Sequence, residues 1–302
     1  MEQPYIIESI HQINRDKGEL TLHPLITVYA QEGKLAMPAR LYRTDVYMIF
    51  LKDSHCADIV YGRKKYDYEE GTLVFLAPGQ EFGLEYVGLP PSKPNGWSIA
   101  FHPDLLKGTS LQKAIRQFQF FSYSIHEALH ISQKERTSIT DLLLKLKHEL
   151  ENSMDKHSRE IIVSHLDLFL KYCQRFYERQ FHTRAQEEIN LSQRIQEILD
   201  HYMSDQDLLK TGPPTVGYCA SKLTLSANYF GDLVRQQLGI GAQEFIQSYL
   251  ISQAIEKLTH GSMSVKEIAY DLGFEYPNHF SRFFKNQTGV SPSDYKIKLN
   301  LN

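Results

Sequence analysis

The sequence predicts an α+β protein of two domains, with a strand-rich first half and a helical second half. The chain has 302 residues, about twice the length of an ordinary domain. Short apolar runs separated by Gly and Pro occupy residues 20–110, whereas apolar residues after about 111 follow helical spacing. We therefore expect one domain at 1–182 and another at 191–302, joined by a polar linker at 183–190.

Composition and charge exclude several classes of protein. The chain has 33 Lys and Arg against 36 Asp and Glu, which argues against disorder and against a polybasic mode of nucleic-acid binding. Cys56, Cys173 and Cys219 lack CxxC spacing, as expected of reduced thiols in a cytoplasmic protein. We expect neither a secretory signal nor a membrane span, since no apolar run is long enough to cross a bilayer.

The strands of the first domain are predicted from apolar runs rich in β-branched and aromatic residues. No helical pattern lies between these runs, which favours a β-barrel or a sandwich. The runs lie at 46–51, 57–61, 73–77, 82–87 and 97–101.

Helices are predicted from 111 to 182, with a dimerisation element near 133–182. One helix carries Leu142, Leu143, Leu146 and Leu150 at helical spacing, and the next carries a long apolar stripe. This stripe either covers the strands or forms a helix–helix dimer seam. Its residues are Ile162, Leu166, Phe169, Leu170, Cys173 and Phe176.

The last third of the chain repeats itself at an interval of about 50 residues. Ala220 to Leu223 corresponds to Ala269 to Leu272, and Phe230 to Gly239 corresponds to Phe280 to Gly289. Two copies of a helix–turn–helix unit explain this pattern.

The second copy has clear signals for where its helices begin and end. Ser264 and Glu267 predict a capping box, Gly273 suits the left-handed end of the first helix, and Pro277 suits the start of the next. Three phenylalanines at i, i+3 and i+4 from Phe280 predict a buried face, which leaves polar and cationic side chains on the others. A helix that enters the DNA major groove requires such a division.

Three segments carry a resemblance to a known family: Glu267 to Phe274, Asn278 to Lys285, and Gly289 to Tyr295. They resemble the signature of AraC/XylS-type transcription regulators, and the resemblance covers residues 191–302. It implies two helix–turn–helix subdomains joined by a long helix, here 242–259, with recognition helices in successive major grooves about 34 Å apart. The first half more loosely resembles the cupin-like effector-binding and dimerisation half of that family.

The resemblance implies a sequence-specific transcription regulator and not an enzyme. Its expected partners are double-stranded DNA, a small-molecule effector, a second copy of the chain and, if it activates transcription, RNA polymerase. No cofactor or metal is expected. A helical module that interacts with other partners independently of DNA is a further alternative.

Some positions depart from the family pattern. Residues 190–302 contain 10 Lys and Arg against 11 Asp and Glu, so DNA affinity must come from a local cationic surface. Asp232 stands at the position equivalent to Arg282, and Thr224 replaces the turn glycine. These departures predict that the first copy either binds DNA more weakly or makes its contacts mainly through Ser226, Asn228, Tyr229 and Arg235. Leu250 stands where the family usually has an arginine on the connecting helix.

The predicted DNA contacts are polar side chains at the two recognition helices. Arg and Asn can bridge base edges, whereas Lys and helix N-termini more often bind phosphate. Arg282 and Lys285 are assigned to phosphate, and the alternative for any single residue is a solvated surface side chain. The full set is Lys222, Ser226, Asn228, Tyr229, Arg235, Glu275, Tyr276, Asn278, His279, Arg282 and Lys285.

A zinc metallopeptidase is the alternative function. His126-Glu127-x-x-His130 has the spacing of two histidine ligands on one helix face with a glutamate base, and Glu151 would supply a third ligand. The motif is short, however, and it lies between the strands and the helices that lead to the repeat. We therefore favour a structural role for it.

The strands of the first half are expected to hold no metal but could enclose a ligand. Gly71, Pro78 and Gly79 resemble a cupin motif, but Phe82 lies near the place where enzymatic cupins have a histidine ligand. The interior is either an apolar pocket or a solid core. The predicted polar contacts to an effector are Tyr42, Arg43, Tyr47 and His55.

Overall fold

A computed structural model describes residues 3–32, 37–38, 40–52, 71–83, 96–124, 127–187, 191–204, 211–260 and 263–299. They form two compact units, Met1–Gln180 and Phe181–Asn302. Strands occur in the first unit and the second is helical, so the predicted α+β class is confirmed. Within the described ranges, no helix combines the length and the apolar character that a membrane span needs.

The strands of the first unit form two sheets. One sheet has the order β1-β3-β6, with β1 and β3 parallel, and the other has the order β2-β7-β4-β5-β8, with all neighbours antiparallel. No pairing among the described strands joins the two sheets, and the cupin-like barrel stays a prediction. The strands are β1 (Tyr5–Ile7), β2 (Ile26–Ala30), β3 (Leu41–Thr44), β4 (Tyr47–Lys52), β5 (Thr72–Leu76), β6 (Glu81–Gly83), β7 (Gly96–Phe101) and β8 (Leu129–His130).

Two of these strands lie outside the predicted range of 20–110. Strand β1 comes before it, and β8 adds an edge to the larger sheet beside β5. Both strands are only two or three residues long, which is too short for a pattern of alternation to show in the sequence. The predicted run at 57–61 lies outside the described residues.

Both faces of the central strand β4 are buried. Met48 and Phe50 belong to a core cluster to which both sheets and α1 (Ile10–Lys17) contribute. Ile49 and Leu51 are equally buried and point to the opposite face, because side chains alternate along a strand. Burial on both faces explains why β4 is a continuous apolar run.

Helices of the first unit cover the second face of the larger sheet. Two long helices end this part of the chain, α3 (Gln133–Glu151) and α4 (Ser158–Glu187). They are preceded by a short helix, α2 (Leu111–Ala114), and by short turns at 103–106, 115–117 and 119–122. The ring of Tyr177 on α4 stacks on Phe120, which in turn contacts Phe75 of β5. All six residues of the predicted apolar stripe are buried within the single chain, so this stripe is a cover for the core and not a dimer seam.

The predicted linker at 183–190 is partly helical. Helix α4 continues through 187, and residues 188–190 lie outside the described residues. The segment contains neither Gly nor Pro, and its Arg, Ala, Gln and Glu are good helix formers, so polarity alone did not end the helix. The proposed domain limits stay a prediction.

The second unit contains the two predicted copies. Helices α6 and α7 form the first copy and α9 and α10 the second, with α8 between them as the expected connecting helix. The helices are α5 (Leu191–Met203), α6 (Val216–Lys222), α7 (Ala227–Leu238), α8 (Ala242–His260), α9 (Val265–Asp271), α10 (Pro277–Thr288) and α11 (Pro292–Leu299).

Candidate nucleic-acid interface

The turns of the two copies have the same hydrogen-bonded geometry. In the first, the amide of Leu225 donates to Ala220 O at 2.9 Å and that of Thr224 donates to Ser221 O at 3.1 Å. The second copy makes the same pair of bonds 49 residues later, from Phe274 and Gly273, at 2.9 and 3.0 Å. This is the Schellman arrangement, which closes a helix through one left-handed residue.

Thr224 adopts that left-handed conformation although it is not glycine. Its φ is 57°, against 81° for Gly273 at the equivalent position. Threonine therefore replaces the turn glycine of the family pattern without changing the left-handed backbone conformation of the turn. The first copy thus has a strained non-glycine residue at the position where the second copy has glycine.

Local capping interactions fix the ends of the recognition helices. Ser226 is the N-cap of α7 and its hydroxyl accepts a hydrogen bond from the amide of Tyr229 at 3.2 Å. Helix α10 begins with Pro277 in its first turn, as predicted. Gly239 and Gly289 end the two helices in the left-handed conformation.

Helix α9, which precedes the second recognition helix, begins with the predicted capping box. Ser264 Oγ accepts from the amide of Glu267 at 3.2 Å, and the Glu267 carboxylate accepts from the amide of Ser264 at 2.6 Å. The hydrogen bond from the Ser264 amide favours the charged carboxylate and thereby lowers the pKa of Glu267.

Helix α10 has a buried aromatic face and an exposed polar face. Phe280 and Phe284 are fully buried, and Phe283 is half-buried against Phe274 with ring centroids 5.4 Å apart. The predicted contact residues on the remaining surface are all exposed: Asn278, His279, Arg282 and Lys285. The helix therefore presents two cations and two hydrogen-bonding side chains to solvent.

The turn before α10 adds an exposed aromatic side chain. Tyr276 is 53% exposed and its ring lies edge-on to that of His279, with centroids 5.2 Å apart. A hydrogen bond to the Glu275 carboxylate raises the pKa of Tyr276, so the phenol stays protonated. Glu275 is occupied by this contact and sets a negative charge at the start of the polar face.

The first copy presents fewer cations on its recognition helix. Asn228 and Arg235 are exposed on α7, and Asp232, which replaces the arginine of the second copy, is half-buried. Lys222 is exposed at the end of α6, where its ammonium lies 5.2 Å from the centre of the Tyr218 ring.

Tyr229 is a core residue, so its assignment as a DNA contact is wrong. The side chain is fully buried, and its ring packs on Phe181 with centroids 5.0 Å apart. The equivalent residue of the second copy, His279, is exposed. The difference arises because Phe181, which is distant in sequence, covers the start of α7.

A groove beside α6 contains two side chains that the sequence analysis missed. Arg194 and His201 of α5 line it together with Lys222 of α6. Arg194, Ile198 and His201 stand at i, i+4 and i+7, and this spacing was a signal that they share one face of α5. Glu197 lines the same groove, so Arg194 and Lys222 lie beside one carboxylate there, next to the recognition helix of the first copy.

Contacts made by α8 hold the helices of the second unit together. Tyr249 donates a hydrogen bond to Asp200 of α5 at 2.5 Å, and Lys257 pairs with Asp271 of α9 at 2.7 Å. Leu250, at the position where an arginine was expected, is buried. An apolar residue suits this position because the side chain lies in the core.

The described part of His126-Glu127-x-x-His130 does not form an α-helix. His126 lies outside the described residues, and His130 belongs to strand β8, with Nδ1 3.2 Å from the Thr72 hydroxyl. The Glu127 carboxylate is buried and accepts a hydrogen bond from the amide of Ser124 at 2.8 Å. The helical i, i+4 spacing that the peptidase alternative requires is missing, so that alternative is not supported.

No group of His, Cys, Asp and Glu side chains within the described ranges has an arrangement that could hold a metal ion. Glu151, the third ligand of the peptidase alternative, is the last residue of α3. Phe82, at the cupin-ligand position, lies in the core and stacks on Tyr42 with centroids 5.2 Å apart.

The first unit contains a pocket of about 310 Å³ between α1 and the strands β1 to β4. Of the predicted effector contacts, Tyr42 lines it, whereas Arg43 and Tyr47 do not. Arg43 follows Tyr42 on β3 and therefore points to the other face, where it lies 3.7 Å from Asp45. Tyr47 stacks on Phe101 at 4.8 Å, and His55 lies outside the described residues.

Comparison with known proteins bears on the second unit. A family profile described as a helix-turn-helix domain matches residues 219–297. The arabinose operon regulatory protein of Escherichia coli K12 is 36% identical over 77 residues, which are 26% of each chain. The second unit carries an AraC-type helix-turn-helix domain. The match to this AraC-type domain includes α7 and α10 in full, so both recognition helices lie inside it.

Two further similarities are to a second regulator and to a solved structure. The HTH-type transcriptional regulator YfiF of Bacillus subtilis is 28% identical over 151 residues, 48% of this chain and 44% of that protein. The C-terminal domain of the response regulator yesN of Fusobacterium nucleatum is 27% identical, with a TM-score of 0.31 over 35% of this chain and 98% of that chain. The chain thus spans less than half of YfiF and about a quarter of the arabinose regulator.

Proposed function

We propose that the protein is a transcription regulator that binds a specific DNA sequence through α7 and α10. The observation that carries this proposal is that α10 has a buried apolar face and an exposed polar face. Phe280 and Phe284 are buried and Phe283 is half-buried, while Asn278, His279 and Arg282 are exposed along one short helix in an AraC-type domain. Such a helix can enter the major groove without exposing its core.

The side chains of α10 divide into two chemical roles. Arg282 and Lys285 neutralise phosphates and set the position of the helix on the duplex. Asn278 and His279, in the first turn, present hydrogen-bonding groups to base edges or phosphate, and Tyr276 extends the same surface. Because the domain has no net positive charge, these local cations supply the electrostatic part of the affinity.

The first copy makes fewer direct contacts in this proposal. Of the predicted contacts, Asn228 and Arg235 are exposed on α7, and Lys222 adds a phosphate contact from α6. The Ser226 hydroxyl already caps the helix, and Asp232 repels phosphate. We therefore expect the second copy to supply most of the sequence discrimination.

Selection of bound DNA from a random pool with the full chain tests this function. Enrichment of one sequence is the expected result, and a chain that enriches none would contradict the proposal. Arg282→Ala should weaken binding to the selected DNA by about 1–3 kcal/mol while the protein stays folded. Lys171→Ala is the matched control, because this exposed lysine of α4 pairs with Asp167 and should not alter affinity.

We further propose that a small-molecule effector occupies the pocket of the first unit and that the chain acts as a cytoplasmic homodimer. The support for the pocket is its position against the core and the presence of Tyr42 in its wall. The support for the dimer is two apolar side chains seven residues apart on α4, Ile161 and Leu168, which are 40% and 44% exposed. RNA polymerase is the further partner if the regulator activates transcription.

Such a regulator would have two states that differ in the position of the DNA-binding helices. Ligand binding or the geometry of the dimer would shift the protein between these states. A ligand of the pocket should therefore change the affinity for the selected DNA. A ligand that binds without any effect on that affinity would count against the switch. Sedimentation of Leu168→Lys tests the dimer, which should dissociate if this face joins two copies.

A further inference from the structure

The ring of Tyr276 is an exception to the burial of aromatic side chains in the second unit. Among the Phe and Tyr residues that the structure describes there, it is the only exposed one, with 53% of its surface open to solvent. It lies directly before α10, beside the side chains that the proposed function assigns to DNA. Large rings supply much of the binding energy of an interface when a partner covers them.

Tyr276 also breaks the local rule for the start of a helix. It is the N-cap residue of α10, but its side chain makes no capping hydrogen bond with the first turn. Ser226 holds the equivalent position of the first copy, and its hydroxyl caps α7 as expected of serine. A residue that serves its own helix poorly, where the other copy has the preferred residue, is typical of a position with a function.

The position of Tyr276 is fixed by its neighbours in the chain. Its carbonyl oxygen accepts a hydrogen bond from the amide of His279 at 2.9 Å, and the two rings lie edge-on with centroids 5.2 Å apart. Pro277 follows in the first turn of α10, where its own ring restricts φ. A side chain that is ordered before DNA arrives loses less entropy when it binds.

The hydroxyl of Tyr276 already has a partner within the chain. It donates a hydrogen bond to the Glu275 carboxylate, which raises the pKa of the phenol and keeps it protonated. A carboxylate at this end of the side chain repels a phosphate, because both groups are negative. The part of Tyr276 that remains for contact with DNA is therefore the apolar ring and not the hydroxyl.

One apolar group distinguishes a base in the major groove. Thymine carries a methyl group on C5, which an apolar side chain can contact, whereas the other bases are distinguished there by hydrogen-bonding groups. We propose that the ring of Tyr276 contacts the methyl group of one thymine in the bound DNA and thereby determines specificity at that base pair. This inference rests on the proposed function and names the chemical group that the start of α10 recognises.

Replacement of thymine by uracil in the selected DNA tests this contact. Uracil lacks only the C5 methyl group and keeps the base pair and the O4 acceptor. Each thymine is replaced singly, and binding of the full chain is measured by fluorescence anisotropy. At one thymine, loss of the methyl group should weaken binding about fourfold, as expected for one buried methyl-sized group. A selected sequence without thymine, or one in which no methyl group affects affinity, would overturn the proposal.

Two variants assign the effect to the ring. Tyr276→Ser removes the ring but supplies the N-cap residue of the first copy, so α10 keeps a capped start, and this variant should bind the thymine and uracil sites equally. Tyr276→Phe removes only the hydroxyl and should keep both the affinity and the preference for thymine. The assignment is wrong if the preference survives in Tyr276→Ser. It is also wrong if Tyr276→Phe binds both sites more weakly, because the hydroxyl would then be the group that contacts DNA.

A matched tyrosine variant outside the second unit is the control. Tyr172→Ser changes a half-buried tyrosine of α4, whose ring lies 5.9 Å from that of Phe176, and it should keep the preference for thymine. If the chain selects a DNA sequence but no methyl group matters, the inference fails and the proposed DNA-binding function stands. If the chain selects no sequence, the proposed function fails and the inference fails with it.

Discussion

Replacement of Thr224 by glycine is expected to stabilise the second unit. Thr224 occupies the left-handed position of the turn between α6 and α7, with φ at 57°. This conformation costs an L-residue about 1–2 kcal/mol, because Cβ approaches the carbonyl oxygen. Glycine removes that cost but adds about 0.4–1 kcal/mol of conformational entropy to the unfolded chain. The net gain should be about 0.5–1 kcal/mol.

The equivalent position of the second copy offers the reverse experiment. Gly273 has the same backbone geometry at φ of 81°, so Gly273→Ala should lose about the amount that Thr224→Gly gains. Thr224→Ala keeps the Cβ atom and is the control for loss of the hydroxyl, with an expected change within about 0.5 kcal/mol.

Thermal unfolding of the full chain, followed by calorimetry, measures these differences. For a unit of this size, the gain from Thr224→Gly corresponds to a rise in Tm of about 2–4 °C in the transition of the second unit. The reasoning would be refuted if Thr224→Gly left the Tm unchanged or lowered it while Gly273→Ala kept the Tm of the wild type. These two results would show that the left-handed residues of the turns are not strained.

Four further predictions concern the same domain. Ser264→Ala should destabilise the domain by about 1 kcal/mol through loss of the N-cap. In urea titrations near neutral pH, the wild type should be more stable to unfolding than Glu267→Gln. This difference in stability should disappear as the pH falls through the lowered pKa of Glu267. Tyr229→Phe should leave DNA affinity unchanged, and a loss of affinity in a stable protein would restore Tyr229 as a contact. Lys285→Ala should reduce the slope of log affinity against log salt concentration by about 0.9, and an unchanged slope would remove Lys285 from the phosphate contacts.

Much of the second unit could be predicted because its signals are local. The repeat, the capping box at Ser264 and the glycines that end α7 and α10 all depend on residues within one or two helical turns. The exposed face of α10 followed from the spacing of its phenylalanines. The exposure of Asn278, His279 and Arg282 was therefore accessible from the sequence.

The errors arose where contacts distant in sequence decide the structure. Tyr229 stands beside a polar Asn228, and its buried ring packs on Phe181, which lies 48 residues earlier. His130 lies in a two-residue strand that exists because β5 provides a partner at Thr72. Neither contact leaves a periodic pattern, so propensity and spacing gave no warning of them.

The head-to-tail order of the two copies has a consequence for the nucleotide sequence they bind. Identical subunits related by a two-fold axis match a palindrome, whereas the two copies within one chain present different exposed side chains. A site occupied by both copies of one protomer therefore has polarity, with unlike elements arranged in tandem. Inverting such a DNA site relative to the start of transcription would reverse the direction in which the bound protein faces along the duplex. The orientation of the site, and not only its presence, would then matter for the control of transcription.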